Sequence, residues 1–301
     1  MDFSVFENYC AEIGVEIRKN EPMCKHTSFK TGGMADIFLN VGSVDVLTDI
    51  LETAKALNVP TYVIGKGSNL LVSDDGIEGA VITLSSLDEI TVDGENIIAG
   101  AGASLSAVCV AAANAGLTGL EFAYGIPGSV GGALYMNAGA YDGEMSYVVV
   151  SSESITLDGK LEETSVKDMK LGYRTSVFKA NKNIITKVVF ALKKAESKDV
   201  WDKMNVFMER RKEKQPLEYP SAGSTFKRPT GYFAGALIEE NDLKGVAVGG
   251  AMVSEKHAGF IINYNNATTD DILKLIKKVQ KKVFENNGIE LETEVIFVGR
   301  E

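Results

Sequence analysis

Gly125-Ile126-Pro127-Gly128-Ser129-Val130-Gly131-Gly132-Ala133 carries four glycines and a proline in nine residues, and its reading decides the fold. A structural turn needs one or two glycines. This density sets the backbone itself against something flat and large, because glycine has no Cβ to hold a ligand away. A second stretch, Gly65-Lys66-Gly67-Ser68-Asn69, follows an apolar run over 61–64 that reads as a strand. Glycine makes up 30 of the 301 residues, above the usual share of about 7%. The two stretches are expected to hold a large phosphorylated cofactor.

A strand followed by glycines invites a dinucleotide-fold reading, and two features exclude it. Leu70 stands where the third glycine belongs, and Leu71-Val72-Ser73-Asp74-Asp75-Gly76 follows in place of an amphipathic helix. A pyrophosphate would have no helix N-terminus to sit on. Neither stretch ends in the Gly-Lys-Ser/Thr of a triphosphatase loop. Successive amides in a tight Gly/Ser/Asn turn still form an anion-binding nest. For the first stretch taken alone, a plain hairpin connection is the alternative.

Composition narrows the partners. Hydrophobic content of 45% and charged content of 24% are ordinary for a globular chain long enough for two domains. A net charge of −10 argues against nucleic acid or an anionic membrane surface. An anionic substrate needs a local basic cluster. Cys10, Cys24 and Cys109 show no paired spacing, which fits a reduced compartment, with Cys109 a small core residue. Only His26 and His257 occur, without a Cys-x-x-Cys pair, so neither a zinc site nor a histidine-based triad is expected, and no metal. No leader opens the chain and no apolar run reaches membrane-span length, so the expected location is cytoplasmic.

Periodicity supplies the scaffold. Val44, Leu47, Leu51, Ala54 and Leu57 recur at helical spacing behind Ser43 as a cap. Strand-like 79–84 follows, then a helix through Leu105, Val108 and Ala112 with Ser104 as its cap and Gly116 as its end. From 148 to 192 the pattern is β-rich, with a turn at Asp158-Gly159. The polar stretch 193–199 reads as a domain boundary. Beyond it Trp201, Met204, Met208 and Arg211 share a helical face, and Ile272, Leu275, Ile276, Val279 and Val283 form the stripe of a long helix over 270–286. A strand over 291–298 closes the chain.

Block order carries more than any single block. Thr31-Gly32-Gly33-Met34-Ala35-Asp36, then Gly65 through Leu71, then Gly125-Ile126-Pro127-Gly128, then Asn137-Ala138-Gly139-Ala140-Tyr141 resembles the UDP-N-acetylenolpyruvoylglucosamine reductase family, over nearly the whole chain. The resemblance implies an α+β architecture: a two-lobed, non-Rossmann FAD-binding domain of the vanillyl-alcohol-oxidase type over 1–195, with lobes roughly 1–80 and 81–195. An α+β substrate-binding domain over 196–301 follows, with the active site in the cleft between them. It implies noncovalent FAD held by Gly65, Lys66, Gly67, Ser68, Asn69 and Leu70, and by Ile126, Pro127, Gly128, Ser129, Gly132, Asn137 and Ala138. NADPH is the implied co-substrate and charges the flavin. Flavin N5 then delivers hydride to the enolpyruvyl ether of a UDP sugar, giving UDP-N-acetylmuramate for peptidoglycan. No obligate protein partner is expected.

Such a reaction asks the protein to stabilise an enolate and protonate its carbon. By resemblance Ser224, in Ser221-Ala222-Gly223-Ser224-Thr225-Phe226-Lys227, is the proton donor; read alone it is a turn-forming serine. Arg174, in Gly172-Tyr173-Arg174-Thr175, matches the arginine that polarises the substrate carboxylate, which suits a bidentate, permanently charged group. Its plainer alternative is a surface ion pair. Glu294 matches the third catalytic residue. Glu292 lies at period two from it, so pattern alone does not choose between them, and family spacing favours Glu294. Beside a developing anion such a residue helps best when protonated, which requires burial. Tyr173, Lys214, Gly223, Lys227 and Arg228 are the implied substrate contacts, with Lys214 near the diphosphate. The shorter branch of the family, which this chain matches, lacks a tyrosine-bearing loop over the substrate. Two other readings stand beside this one: an alcohol oxidase of the same flavin superfamily, although neither glycine stretch holds a histidine to attach FAD, and a nonenzymatic UDP-sugar sensor.

Overall fold

The computed structural model describes residues 2–300. Two compact units form, and no single cut in the chain separates them. One takes the chain up to Lys19, Ile37–Lys66 and Gly79–Arg211; the other takes Asn20–Asp36, Gly67–Glu78 and the chain from Lys212 onward. The break near residue 195 is therefore displaced to Arg211, and two early segments join the last third. The polar stretch 193–199 is ordered: Lys193–Lys194 pairs with Leu117–Thr118, and Ser197 opens the helix Ser197–Lys214. Its polarity marks a solvated helix surface, since only Val200, Met204 and Arg211 of that helix are buried.

A four-stranded sheet runs in the order Ile17–Pro22, Met34–Asn40, Ile77–Thr83, Thr61–Ile64, the last two parallel. A five-stranded antiparallel sheet runs Leu161–Ser165, Val149–Ile155, Ile184–Ala191, Asn96–Gly100, Ile90–Asp93. The helix Val44–Ala56 starts where Ser43 accepts from the Val46 amide, and it buries Leu47, Ile50 and Ala54. Ser104 precedes the helix Leu105–Asn114 as expected, but its hydroxyl turns to Ser106 and caps nothing. The core of this unit, with Ile82, Ile97, Phe178 and Phe190 fully inside, gains roughly 1.5–3 kcal/mol for each such side chain removed from water.

The other unit packs its own core around Phe29, Leu71, Phe226, Ile272 and Leu291. The helix Thr269–Asn287 buries the predicted stripe, begins in a capping box between Thr268 and Asp271, and ends at Gly288 with φ +68°. Asp74 adds a second cap, accepting from the amides of Thr269 and Asp270 at 2.9 Å each. The closing strand is shorter than its apolar alternation implies. Only Ile296–Val298 is strand, parallel to Leu70–Val72, while Thr293 makes a single bridge to Phe226. Residues 292–294 face a different partner, and that breaks the ladder. Among the described residues no helix is long and apolar enough to cross a membrane.

Candidate functional site

The first glycine turn links the strands Thr61–Ile64 and Leu70–Val72. Gly67 sits at φ +60°, and a Cβ there would collide with the His26 carbonyl oxygen, so only glycine fits. Its own carbonyl accepts from the Ser28 amide. Among the described residues, nothing in the chain accepts from the successive amides of Lys66, Gly67 and Ser68. That is the arrangement of an anion-binding nest. The neighbouring hydroxyls of Ser28 and Thr31 are buried without a partner.

The two glycine stretches meet, because a Cβ on Gly65 would collide with Ser129 Oγ. Ser129 opens a short helix, Val130–Tyr135, and its hydroxyl accepts from the Gly132 amide at 3.3 Å. The sequence reading missed this helix, since its glycines lower helix propensity; the serine cap three residues ahead of Gly132 was the available signal. Gly128 and Val130 bond across to Leu105 and Ala103, while among the described residues the Gly128 and Ser129 amides meet no acceptor in the chain. Arg211 donates to the Gly125 carbonyl from a buried position, with Nε unpartnered. Its place in the apolar stripe with Met204 was the clue that it is more than a surface charge.

Asn137 is fully buried at φ +43° and works as a fastener. Its Oδ1 accepts from the Ser146 amide and its Nδ2 donates to the Gly172 carbonyl, both at 3.0 Å. Gly172 and Thr175 exchange both backbone hydrogen bonds, which leaves Tyr173 and Arg174 at the tip of a tight turn. Arg174 takes φ +55° there, a conformation costing a non-glycine residue roughly 1–2 kcal/mol. Lys179 offsets this by donating to the Arg174 carbonyl at 3.1 Å. The guanidinium donates to the Gly139 carbonyl at 3.3 Å and lies 5.0 Å from the centre of the exposed Tyr173 ring.

Ser224 is exposed, and its neighbour Thr225 is wholly buried. The Thr225 amide donates to the Gly259 carbonyl at 2.9 Å, and its carbonyl accepts from the Glu294 amide at 2.8 Å. One residue thereby ties Ser224 to half-buried Glu294, across 70 positions of sequence. Asn69 completes the fixing: its Nδ2 donates to the Glu294 carbonyl and its own carbonyl accepts from Ile296, both at 3.0 Å. The Glu292 carboxylate goes to Lys227 at 2.6 Å, and that hydrogen bond and charge hold it below the usual carboxylate range. Lys227 also carries the backbone bond to Glu292 at 2.8 Å. Gly223 precedes Ser224 at φ +74° in open space. Arg228 lies over the exposed Phe233 ring at 3.9 Å from its centre, and exposed Lys214 ends the helix Ser197–Lys214. Arg174 belongs to one compact unit, and Ser224 and Glu294 to the other.

Each glycine stretch by itself fits part of a large phosphorylated cofactor: the first has Gly67, which no other residue could replace, amides without acceptors and two orphaned buried hydroxyls beside it, and the second has the Gly128 and Ser129 amides without acceptors. Residues 35–165 match the FAD binding domain family, and residues 215–298 match the C-terminal domain of UDP-N-acetylenolpyruvoylglucosamine reductase. The Clostridium novyi UDP-N-acetylenolpyruvoylglucosamine reductase is 49% identical over 95% of this chain and 93% of its own. The chain belongs to the UDP-N-acetylenolpyruvoylglucosamine reductase family. The Clostridium tetani reductase is 47% identical over 98% of this chain and 96% of its own. Among solved structures, the UDP-N-acetylenolpyruvylglucosamine reductase of Thermus caldophilus superposes with a TM-score of 0.80 at 36% identity, covering 94% of this chain and 98% of that one. Both glycine stretches that nominate the reductase cofactor lie inside the FAD-binding match, and Ser224 and Glu294 lie inside the reductase match.

Proposed function

We propose that this chain reduces UDP-N-acetylglucosamine enolpyruvate to UDP-N-acetylmuramate with NADPH, on noncovalent FAD, in cytoplasmic peptidoglycan precursor synthesis. Ser224 and Glu294, tied together through Thr225, carry the reading. The amides of Lys66, Gly67, Ser68, Gly128 and Ser129 would hold the cofactor, with Ile126, Pro127 and Leu70 as apolar contacts. When bound, FAD supplies a two-electron carrier between NADPH and the enolpyruvyl ether.

The chain's own residues supply the rest. Arg174 binds the substrate carboxylate, where two parallel N–H donors and a fixed charge stabilise the enolate. The Ser224 hydroxyl gives its proton to the carbon beside that carboxylate. A hydroxyl is a weak acid, and an enolate carbon takes its proton only when geometry is tight. Thr225 provides that geometry. Glu294, fixed at its amide and its carbonyl, would stabilise the same developing charge as a protonated acid donating to it. Lys214, Lys227 and Arg228 give an acidic chain the local positive charge a UDP group needs.

Stopped-flow flavin absorbance separates the two halves of the reaction. NADPH is expected to bleach the flavin and the UDP sugar to restore it. Ser224→Ala should slow only the second step, by about a hundredfold or more. An unchanged second step would overturn the proton-donor role.

A further inference from the structure

Thr225 leads from Ser224 to two places. One is Glu294. The other is the turn over 257–261, where the Gly259 carbonyl accepts from the Thr225 amide and the Ile261 amide donates to Thr225 Oγ1 at 3.0 Å. A histidine shapes that turn. The Gly259 amide donates to His257 Nδ1 at 3.1 Å, and the His257 carbonyl accepts from Phe260 at 3.0 Å. An amide N–H only donates, so Nδ1 must present its lone pair and Nε2 must carry the proton. Glycine lines the slot around the ring: a Cβ on Gly259 would lie 3.0 Å from Cε1, and one on Gly235 would lie 3.5 Å from it. Phe260 closes the slot edge-on, 4.9 Å between ring centres.

We propose that His257 is a positioning residue for Ser224: its unprotonated Nδ1 holds Gly259 at its amide, and the carbonyl of that same residue fixes the peptide between Ser224 and Thr225. The inference rests on Ser224 as proton donor. Protonation would place an N–H at Nδ1 against the Gly259 N–H, two donors facing each other, and would release the turn. Burial already holds the imidazole below its ordinary value of 6.5, against a hydrogen bond to its own backbone that favours the charged form, with Lys244 opposing and Glu239 favouring that form as well. Those two pair with each other at 2.7 Å. On the histidine's own turn, Lys256 is turned to the Lys212 carbonyl at 2.7 Å and to Glu218 at 3.8 Å, and Glu255 lies against Gly245. The acceptor form therefore stands at neutral pH and is lost only as pH falls through a value below the ordinary 6.5.

The test uses the FAD-loaded full-length chain, with both half-reactions followed by flavin absorbance between about pH 5 and 8. His257→Phe keeps a flat ring without an acceptor. His257→Asn puts Oδ1 where Nδ1 stood, and His257→Gln moves its polar atoms one carbon outward. His257→Phe should slow reoxidation by the UDP sugar about ten- to a hundredfold, the scale of a slightly misplaced catalytic group, with NADPH bleaching unchanged. His257→Asn should recover most of that loss and lack the acid limb of the wild-type reoxidation profile. The inference fails if His257→Phe reoxidises normally, if Asn rescues no better than Gln, or if both half-reactions fall together. Ser224→Ala run alongside separates the two ideas. Normal reoxidation there removes the proton donor and this inference with it, whereas a slow Ser224→Ala beside a normal His257→Phe removes only the inference.

Discussion

Thr225→Val replaces a hydroxyl with a methyl of nearly the same shape, at a wholly buried position. Both backbone bonds of residue 225, to Gly259 and from Glu294, survive the change. What is lost is the acceptor for the Ile261 amide, which is itself buried. An orphaned buried donor costs roughly 1–3 kcal/mol. The new methyl returns at most about 0.8 kcal/mol of transfer free energy. The net expectation is a destabilisation of about 1–2 kcal/mol, seen in urea melts as a lower midpoint with an unchanged slope.

Thr225→Ser is the control. It keeps Oγ1 and gives up one methyl, for which roughly 0.5–1.5 kcal/mol is usual. Stability alone separates the pair poorly, and the half-reactions do it better. The valine should slow flavin reoxidation by the UDP sugar while leaving reduction by NADPH intact, and the serine should leave both intact. If Thr225→Val matched wild type in midpoint and in reoxidation, the Ile261 amide would have another acceptor and the hydroxyl no part in seating Ser224. A serine variant slower than the valine would refute the reasoning outright.

Gly67→Ala should be purified without flavin, because the added Cβ meets the His26 carbonyl at a φ that alanine tolerates poorly; a yellow protein with normal absorbance would refute this. Asp74→Ala removes the acceptor for two amides at the start of the helix Thr269–Asn287 and should cost about 1–2 kcal/mol in urea melts. Burial pushes the Cys10 thiol up to about 11 and the Cys109 thiol to about 12, so in the native protein near pH 8 a thiol reagent should titrate Cys24 alone, the other two reacting only in denaturant. Glu294→Gln should slow reoxidation at least about tenfold, and Glu292→Gln should leave it within about twofold; the reverse pattern would move the role to Glu292.

Local chemistry made part of this legible in advance. The stripes of Val44–Ala56 and Thr269–Asn287, with their serine and threonine caps, follow from spacing and side-chain donors within a few residues. The glycine turn at 65–69 was likewise visible, although the reason position 67 must be glycine, the His26 carbonyl, was not. Segment membership lay beyond reach. Residues 20–36 and 67–78 belong with the last third because Leu70–Val72 pairs in parallel with Ile296–Val298 and Phe29 holds Asn263 through its carbonyl. Short apolar runs carry no record of which distant run they pair with. The helix Val130–Tyr135 was hidden for the opposite reason, since glycines placed for close approach mask the helix they open.

Glu292 and Glu294 differ in the structure in a way that periodicity does not reveal. Both carboxylates belong to one short stretch, and alternation gives them the same face. Pairing across to the Ser224 segment separates them. Lys227 lies opposite Glu292 and takes its carboxylate, while Thr225 lies opposite Glu294 and bonds only its amide. Backbone bonds anchor Glu294, whereas an ion pair with Lys227 ties up the Glu292 carboxylate. The same stretch is held from its other side by Asn69, in the first glycine turn. That turn therefore serves twice: its amides lack an acceptor in the chain, and its asparagine fixes the segment that carries Glu294. A substitution at Asn69 would disturb Glu294 as well as the cofactor, so lost activity there would not by itself mark Asn69 as a cofactor ligand.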